Sequence, residues 1–175
     1  MREISIPIVR PMRPEDPERI AAAERAQGWA GAASDKYFTR LRDAAEGRCA
    51  ALVAELDGEP VGYINLYWEP LAGPFSGIPE IVDFGVLERV RRRGIGAMLM
   101  DAAESLAAGR SARVCLGVGL HSGYGAAQRM YVLRGYVPDG SGVWYRDRVC
   151  APYSPCENDD DLVLYLVKSL PGAQR

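Results

Sequence analysis

The chain has 175 residues, of which 48% are hydrophobic and 25% are charged. This length fits one globular domain with a sizeable buried core, and the composition excludes collagen, coiled coil and long disordered protein. The 21 basic and 23 acidic side chains give a net charge of −2, so no basic excess points to a nucleic-acid partner. We therefore expect a single domain over residues 1–175.

Targeting signals and metal ligands are both absent from the pattern. The opening segment, MREISIPIVR, lacks the apolar stretch of a signal peptide, and no run approaches the ~18 apolar residues of a membrane span. We expect a cytoplasmic protein with no membrane partner. The four cysteines include no Cys-x-x-Cys pair and His121 is the only histidine, so no metal site is expected, because structural zinc needs four clustered ligands.

The first half of the chain predicts a strand, two helices and a strand pair, at residues 4–12, 16–28, 34–47, 50–56 and 61–68. Asp16 as N-cap and Pro17 at the first helical position start the first helix. Ser34 caps the second helix. Asp57-Gly58 is typical of a two-residue hairpin turn between the paired strands.

The second half alternates strands and helices after a loop at 70–79, with strands at 80–87 and 112–120 and a helix at 125–134. A strand begins at Tyr136 and resumes near Trp144, and the last strand is at 161–168. Between the first two of these strands lies a helix whose buried face is predicted from Ile95, Met98, Leu99, Ala102, Ala103 and Leu106. Gly117 and Gly119 inside a strand indicate a close approach to the backbone. The order β-α-α-β-β-β-α-β-α-β-β predicts a mixed α/β fold in which helices cover a mixed sheet.

The most informative segment is 81–99, in which a buried strand runs into a basic, glycine-containing turn that opens a helix. The first turn of a helix leaves about four N–H groups without partners and carries partial positive charge. Glycine lets a phosphate approach the backbone, and the arginines add charge. The segment therefore predicts an anion site whose best ligand is a pyrophosphate.

Two common nucleotide motifs do not fit this turn. A Walker loop requires Gly-Lys-Ser/Thr, but Ala97 follows Gly96, and a dinucleotide-binding turn requires a third glycine where Leu99 stands. Two other interpretations stay open: an ordinary capped turn with solvated arginines, and a nucleic-acid patch formed by Arg89 and residues 91–93.

The turn resembles the signature of the GNAT superfamily of acyl-CoA-dependent N-acyltransferases. The sequence RRRGIG at 91–96 matches the family pattern Q/R-x-x-G-x-G/A, which binds the coenzyme A pyrophosphate. The sequence GAAQRMYVLRGY at 125–136 looks like the fourth helix of the family, with its pattern A-x-x-h-Y-x-x-x-G-F/Y. Tyr124 departs from the asparagine that often opens this helix, and Tyr136 from the usual phenylalanine. With the matching element order, the resemblance covers residues 4–170.

The resemblance implies a fold, a co-substrate and a set of residues. The fold is a central mixed, mostly antiparallel sheet of about seven strands flanked by four helices. The co-substrate is acetyl-CoA, and its binding residues are Val86, Arg91, Arg92, Arg93, Gly94, Ile95, Gly96 and Tyr124. The backbone N–H of Val86 polarises the thioester carbonyl, with Gly85 permitting a bulge. Tyr131 donates a proton to the leaving sulfur, and Glu80 removes the proton of the amine through water.

The implied reaction is direct transfer of an acetyl group to a primary amine of a small molecule or peptide. A non-catalytic domain that senses acyl-CoA is the alternative, and a homodimer is possible. Plainer roles stay open for each residue: a core tyrosine at Tyr131, a surface carboxylate at Glu80 and an exposed loop histidine at His121. Asp83 is a second candidate base, on the strand face opposite Glu80. The acidic run at 157–161 is either solvated or attracts a cationic amine.

Overall fold

Within residues 5–29 and 33–171, which this computed structural model describes, the chain forms eight β-strands and four α-helices. In chain order they are β1 (Ile8–Pro11), α1 (Asp16–Ala26), α2 (Asp35–Ala45), β2 (Cys49–Leu56), β3 (Glu59–Tyr67), β4 (Glu80–Val86), α3 (Ile95–Ala108), β5 (Arg113–Gly119), α4 (Gly125–Leu133), β6 (Val137–Tyr145), β7 (Arg148–Val149) and β8 (Leu162–Ser169). Single-turn 3-10 helices at Glu88–Val90 and Ser122–Tyr124 precede α3 and α4. The predicted mixed α/β fold and its element order are confirmed, with β7 as an additional strand.

The described residues divide into two compact units. The first contains the residues up to 66 and residues 82–106, and the second contains residues 67–81 and those from 107 onward. The strand order is β1-β2-β3-β4 in the first unit and β4-β5-β8-β6-β7 in the second, which contains the first two residues of β4. That residues 1–175 act as one domain stays a prediction. No helix in the described part of the chain is long and apolar enough to cross a membrane.

The first unit is organised around the hairpin of β2 and β3. Its turn residues, Asp57 and Gly58, have φ values of 55° and 74°, the left-handed conformation that a type I′ turn requires, which confirms the predicted hairpin. Strand β1 pairs antiparallel with β2. The apolar cluster beneath the two N-terminal helices comprises Met12, Ile20, Ala21, Tyr37, Ala51, Val53 and Tyr63.

The second unit contains the parallel pair of strands. Glu80 pairs with Cys115 and Ile81 with Leu116, so β4 and β5 run parallel, whereas β5–β8, β6–β8 and β6–β7 are antiparallel. The predicted mixed, mostly antiparallel arrangement is therefore confirmed. Strand β7 was missed in the sequence because its turn, Arg146-Asp147, contains no glycine or asparagine, although both residues adopt positive φ values of 52° and 60°.

Three local predictions need correction. Residues 5–7 are not strand, and Ile4, where the first strand was predicted to begin, lies outside the described residues. Ser34 occupies the N-cap position of α2 but makes no capping bond, because its hydroxyl donates to Glu18 at 2.8 Å. On α3, Leu106 is exposed whereas Met100 and Ala107 are fully buried. The sequence pattern could not identify the buried face of α3, because apolar residues occur on most faces of this helix.

Asp16 is a buried ion-pair partner rather than the predicted N-cap of α1, a position that Glu15 occupies. Its carboxylate accepts bonds of 2.6 and 2.9 Å from the Arg10 guanidinium and one of 2.6 Å from the Arg13 backbone N–H. Burial alone would raise the pKa of Asp16, but these hydrogen bonds outweigh it and lower the pKa. The stabilisation is therefore present above the ordinary aspartate pKa of about 3.9 and is lost as the pH falls below it.

Removing Arg10 tests this pair. Arg10→Met leaves Asp16 as an uncompensated buried charge, so we expect the free energy of unfolding to fall by about 3–5 kcal/mol. Arg13→Met is the matched control, because the Arg13 side chain is exposed and its guanidinium lies 3.4 Å from Glu55, so this substitution should cost less than about 1 kcal/mol. Urea denaturation followed by circular dichroism at neutral pH measures both values. Equal losses would contradict the dominance of the buried pair.

Candidate active site

The basic turn of the first unit leads directly from β4 into α3. After the 3-10 helix at Glu88–Val90, residues 91–94 are exposed, and Arg92 and Gly94 adopt positive φ values of 63° and 78°. Helix α3 begins at the buried Ile95, and its first bond runs from the Met98 N–H to the Gly94 carbonyl at 3.0 Å. The left-handed conformation of Arg92 and Gly94 turns the chain between the arginines and the first turn of α3.

This turn has the features of an anion site. The N–H groups of Ile95, Gly96 and Ala97 lie in the first turn of α3, where no earlier helical carbonyl can accept them. No acidic side chain lies in that turn, so the positive end of the helix dipole is not neutralised there. A Cβ added to Gly94 would meet nothing within 4 Å, which leaves open space beside the backbone.

Three contacts hold the side chain of Arg91. Its Nε donates to the Val86 carbonyl at 3.3 Å, its guanidinium lies 5.5 Å from the centre of the Trp29 ring, and Nη1 lies 3.7 Å from Glu88. Trp29 donates its indole N–H to Glu88 at 3.2 Å, and Gln27 accepts the Glu88 backbone N–H at 3.0 Å. No sequence pattern points to the contacts of Trp29 and Gln27, because they join positions about sixty residues apart.

Strand β4 is irregular at Asp83, two residues before Gly85, where the sequence suggested a bulge. Asp83 has a φ of 52°, uncommon for any residue other than glycine, and its carboxylate pairs with Arg40 Nε at 2.7 Å. Gly85 is required for a different reason: a Cβ there would lie 2.6 Å from the Tyr63 ring. Because the backbone leaves the extended conformation at Asp83, simple alternation does not decide which face its side chain occupies.

In the second unit, Tyr124 belongs to a hydrogen-bonded group with His121 and Asp160. The Tyr124 hydroxyl donates to Asp160 at 2.9 Å, and His121 Nε2 lies 3.0 Å from the same carboxylate oxygen. His121 Nδ1 accepts the Gly123 N–H at 3.1 Å, so the neutral ring carries its proton on Nε2. The bonds from His121 and Tyr124 lower the pKa of Asp160. Asp160 of the acidic run is thus partnered, and Asp161 of the same run lies 3.8 Å from Arg146 Nε.

The Tyr124 ring explains the predicted close approach at Gly119. A Cβ on Gly119 would lie 2.3 Å from that ring, and Gln128 donates to the Gly119 carbonyl at 2.8 Å. A Cβ on Gly117 would instead lie 2.9 Å from Val163. Side chains of the same unit therefore occupy the space beside both glycines.

Tyr131 lies on α4 and is 6% exposed. Its ring packs edge-on against Tyr136, with centroids 5.8 Å apart. Burial, with a smaller contribution from Tyr124, raises the pKa of Tyr131, so its hydroxyl stays protonated at neutral pH. The residue can therefore donate a proton or a hydrogen bond, which is the chemistry that the sequence assigned to it.

Glu80 is buried in the second unit and is not the surface carboxylate of the plainer interpretation. Its Oε2 accepts the Leu71 backbone N–H at 2.8 Å. Burial and the nearby Glu80 charge raise the pKa values of Cys115 and Tyr165 to about 12. The Cys115 thiol is therefore not reactive at neutral pH. Within the described part of the chain, no cluster of three or more metal-ligating side chains occurs.

A family model for the acetyltransferase (GNAT) family matches residues 15–136, which is more than half of the chain. The chain belongs to the GNAT acetyltransferase family. A search of the curated proteins found no match.

Solved GNAT structures resemble this acetyltransferase over nearly its whole length. Ard1 from Thermoplasma volcanium is 22% identical, covers 95% of this chain and 99% of its own, and has a TM-score of 0.69. NAA60 of Arabidopsis thaliana, solved with a bisubstrate analogue, is 18% identical, covers 96% and 100%, and has a TM-score of 0.67. A ribosomal-protein-alanine N-acetyltransferase from Brucella melitensis is 19% identical, covers 93% and 99%, and has a TM-score of 0.65. At these identities the likeness establishes the fold alone.

The site residues expected for a GNAT acetyltransferase fall into two groups. The first unit holds Val86 and the turn and helix start at 91–96, consecutive along the chain. The second unit holds Glu80, Tyr124 and Tyr131, of which the two tyrosines interact electrostatically. Sequence reasoning missed the Asp160 partner of Tyr124, because the aspartate lies in an acidic run that most often is simply solvated.

Alanine substitutions at two glycines near Tyr124 test the position of the Tyr124 ring. In Gly119→Ala the new methyl group would collide with the Tyr124 ring, so we expect a loss of about 1–3 kcal/mol in the free energy of unfolding. Gly125 opens α4 and its Cβ would meet nothing within 4 Å, so Gly125→Ala should leave stability unchanged or raise it by up to about 1 kcal/mol. Urea denaturation measures both, and a neutral Gly119→Ala would refute this placement of the ring.

Proposed function

We propose that the protein transfers the acetyl group of acetyl-CoA directly to a primary amine of a small molecule or peptide. The observation that carries this proposal is the exposed turn at residues 91–94, which places arginines and two left-handed residues before the open N-terminus of α3. Family membership supports the acetyltransferase chemistry, and the amine acceptor is our extension of it.

The residues of this turn fit the pyrophosphate of coenzyme A. The N–H groups of Ile95, Gly96 and Ala97 would hold phosphate oxygens, and Gly94 presents no side chain that would exclude them. Arg92 and Arg93 would supply charge-assisted contacts. Arg91 would add its charge while the Val86 carbonyl and Trp29 hold it in place. In the second unit, Tyr124 would provide a wall of the binding site.

When bound, acetyl-CoA supplies an activated thioester acyl group. We assign polarisation of its carbonyl to the Val86 N–H. Tyr131 holds a proton on its hydroxyl oxygen and gives it, or a hydrogen bond, to the leaving sulfur. Burial keeps the Tyr131 hydroxyl protonated at neutral pH, and its raised pKa favours donation of a hydrogen bond to the sulfur over full transfer of the proton.

The amine must also lose a proton. A lysine-like ammonium with a pKa of about 10.4 is neutral in only about one molecule in 2,500 at pH 7, which corresponds to about 4.6 kcal/mol. We assign the uptake of this proton to Glu80, acting through ordered water. Its burial and the hydrogen bond that it accepts from the Leu71 N–H support a held carboxylate at the start of β4.

Further predictions from the sequence remain proposals: a cytoplasmic location, the absence of nucleic-acid, membrane and metal partners, and a possible homodimer. The acidic net charge of −2 supports the absence of a nucleic-acid partner.

Ligand-dependent melting tests the coenzyme site. Acetyl-CoA at about 100 times its Kd should stabilise the protein by about 2.7 kcal/mol, which raises Tm by roughly 5–11 °C. Gly94→Glu should abolish the shift, because it brings bulk and negative charge to the pyrophosphate. Gly58→Glu is the matched control, because Gly58 has a similar φ of 74° and equally open surroundings but lies in a hairpin turn. No shift at millimolar acetyl-CoA would refute the proposal.

Substitution of Tyr131 tests the chemistry. Tyr131→Phe keeps the ring and removes only the hydroxyl, so we expect kcat to fall about 10²- to 10⁴-fold with the acetyl-CoA-dependent Tm shift unchanged. Tyr136→Phe removes a hydroxyl from the neighbouring ring and should change kcat less than about twofold. Release of free thiol across a panel of amines measures turnover. A normal Tm shift without thiol release for any amine would identify a non-catalytic acyl-CoA sensor.

A further inference from the structure

The face of β3 that carries Tyr63 and Asn65 presents two oxygen atoms suited to accept hydrogen bonds. The two residues are separated by one position, so their side chains lie on the same face of the strand. Both side chains are buried: Tyr63 is 6% exposed and Asn65 is 0% exposed. Neither residue has a role in the proposed chemistry described above.

The Tyr63 hydroxyl uses its proton in a hydrogen bond to a carboxylate. It donates to Glu24 at 2.7 Å, and the Tyr37 hydroxyl donates to the same carboxylate at 2.5 Å. Burial is the main cause that raises the pKa of Tyr63, so the phenol keeps its proton. A hydroxyl that donates to a carboxylate can only accept from a further partner. Glu24 is thus a positioning residue that turns the Tyr63 oxygen into an acceptor.

Asn65 supplies the second acceptor. Its Nδ2 donates to the Asp83 carbonyl at 3.5 Å, which assigns the other amide atom as oxygen. That oxygen, Oδ1, is buried and has no hydrogen-bond partner in the described part of the chain. Buried polar atoms are nearly always satisfied, so an unpaired amide oxygen calls for an N–H donor.

Tyr63 and Asn65 both contact β4 close to Val86, whose N–H is proposed to polarise the thioester carbonyl. The Tyr63 hydroxyl lies 2.6 Å from the position of a Cβ on Gly85, and Gly85 directly precedes Val86. Asn65 contacts Asp83, two residues before Gly85. The two acceptor-bearing side chains therefore follow the same short segment of β4.

We propose that the Tyr63 hydroxyl oxygen and Asn65 Oδ1 bind the two N–H groups of a neutral primary amine, the acceptor of the acetyl group. This inference rests on the proposed function. A neutral primary amine has two N–H groups and one lone pair, so two acceptors hold both N–H groups and leave the lone pair free to attack. A secondary amine has one N–H group and leaves one of the two oxygens unpaired, so the pair selects primary amines.

The reaction balances with these contacts. The lone pair of the amine nitrogen forms the bond to the carbonyl carbon, and the carbon–sulfur bond breaks with its electron pair on sulfur. The sulfur takes a proton from Tyr131, the ammonium has already given one proton to Glu80, and the proton that the nitrogen releases after attack restores the Tyr131 hydroxyl through solvent. Tyr63 and Asn65 neither gain nor lose a proton in the net reaction. Their contribution is orientation of the nucleophile.

The test uses paired variants of the full chain. Tyr63→Phe should raise KM for a primary amine about 3- to 10-fold, the effect of one lost hydrogen bond. The acetyl-CoA-dependent Tm shift should not change. Tyr37→Phe is the matched control, because it removes a hydroxyl from the same Glu24 carboxylate but from a side chain on α2 rather than on β3. It should lower Tm to a similar degree and change KM less than about twofold.

Asn65→Leu gives an independent result if Tyr63→Phe does not fold. The substitution removes a buried unpaired oxygen, so the unliganded protein should melt at the same or a higher temperature while KM for the primary amine rises about 3- to 10-fold. A purely structural Asn65 would leave KM unchanged. Comparing an amine with its N-methyl derivative should show a preference for the primary amine of at least about 10-fold in the parent protein, reduced in both variants.

The outcomes separate this inference from the proposed function. A parent protein that responds to acetyl-CoA but acetylates no amine overturns both. A parent protein that turns over primary amines, with unchanged KM in Tyr63→Phe and Asn65→Leu, overturns the inference alone. Equal rates for primary and N-methyl amines also overturn it.

Discussion

The packing of Tyr63 against Gly85 is the constraint on which the arrangement of the first unit depends. The ring fills the space that any side chain at position 85 would need, so β4 has to carry glycine next to Val86. The hydroxyl of the same ring is fixed by Glu24 of α1, which also binds Tyr37 of α2. Three buried side chains thereby connect two helices to the paired strands. Such a network is stabilising only when every member is satisfied, so these elements depend on one another.

Two carboxylates of the first unit are paired with arginines, and positive charge is left available where the chain turns into α3. Asp16 is balanced by Arg10, and Asp83 by Arg40. Arg91 is shared between Glu88, Trp29 and the Val86 carbonyl. The first turn of α3 has no acidic residue, so the partial positive charge of the helix start adds to that of the exposed arginines. An anionic ligand is favoured there and not elsewhere along the same helix.

The second unit holds its polar residues through longer-range contacts. Asp160, near the end of a loop, accepts from Tyr124 at the start of α4, and His121 approaches the same oxygen. Gly119 provides the space for the Tyr124 ring. Tyr131 and Glu80 are both buried: burial keeps the tyrosine protonated, and the Glu80 carboxylate accepts the Leu71 N–H. Both side chains are thus withdrawn from bulk water. Electrostatic interactions are stronger in the protein interior, because its dielectric constant is lower.

The sequence by itself determined the order of the elements, the Asp57-Gly58 turn and the basic turn before α3. Each of these depends on residues adjacent along the chain, where periodicity and the freedom of glycine act directly. Tertiary structure decided that Asp16 pairs with Arg10, that the irregularity of β4 lies at Asp83, and that Tyr124 finds Asp160. It also left Asn65 Oδ1 without a hydrogen-bond donor among the described residues. These features depend on the approach of segments distant in sequence, and a local pattern contains no information about which partner a buried polar group will meet.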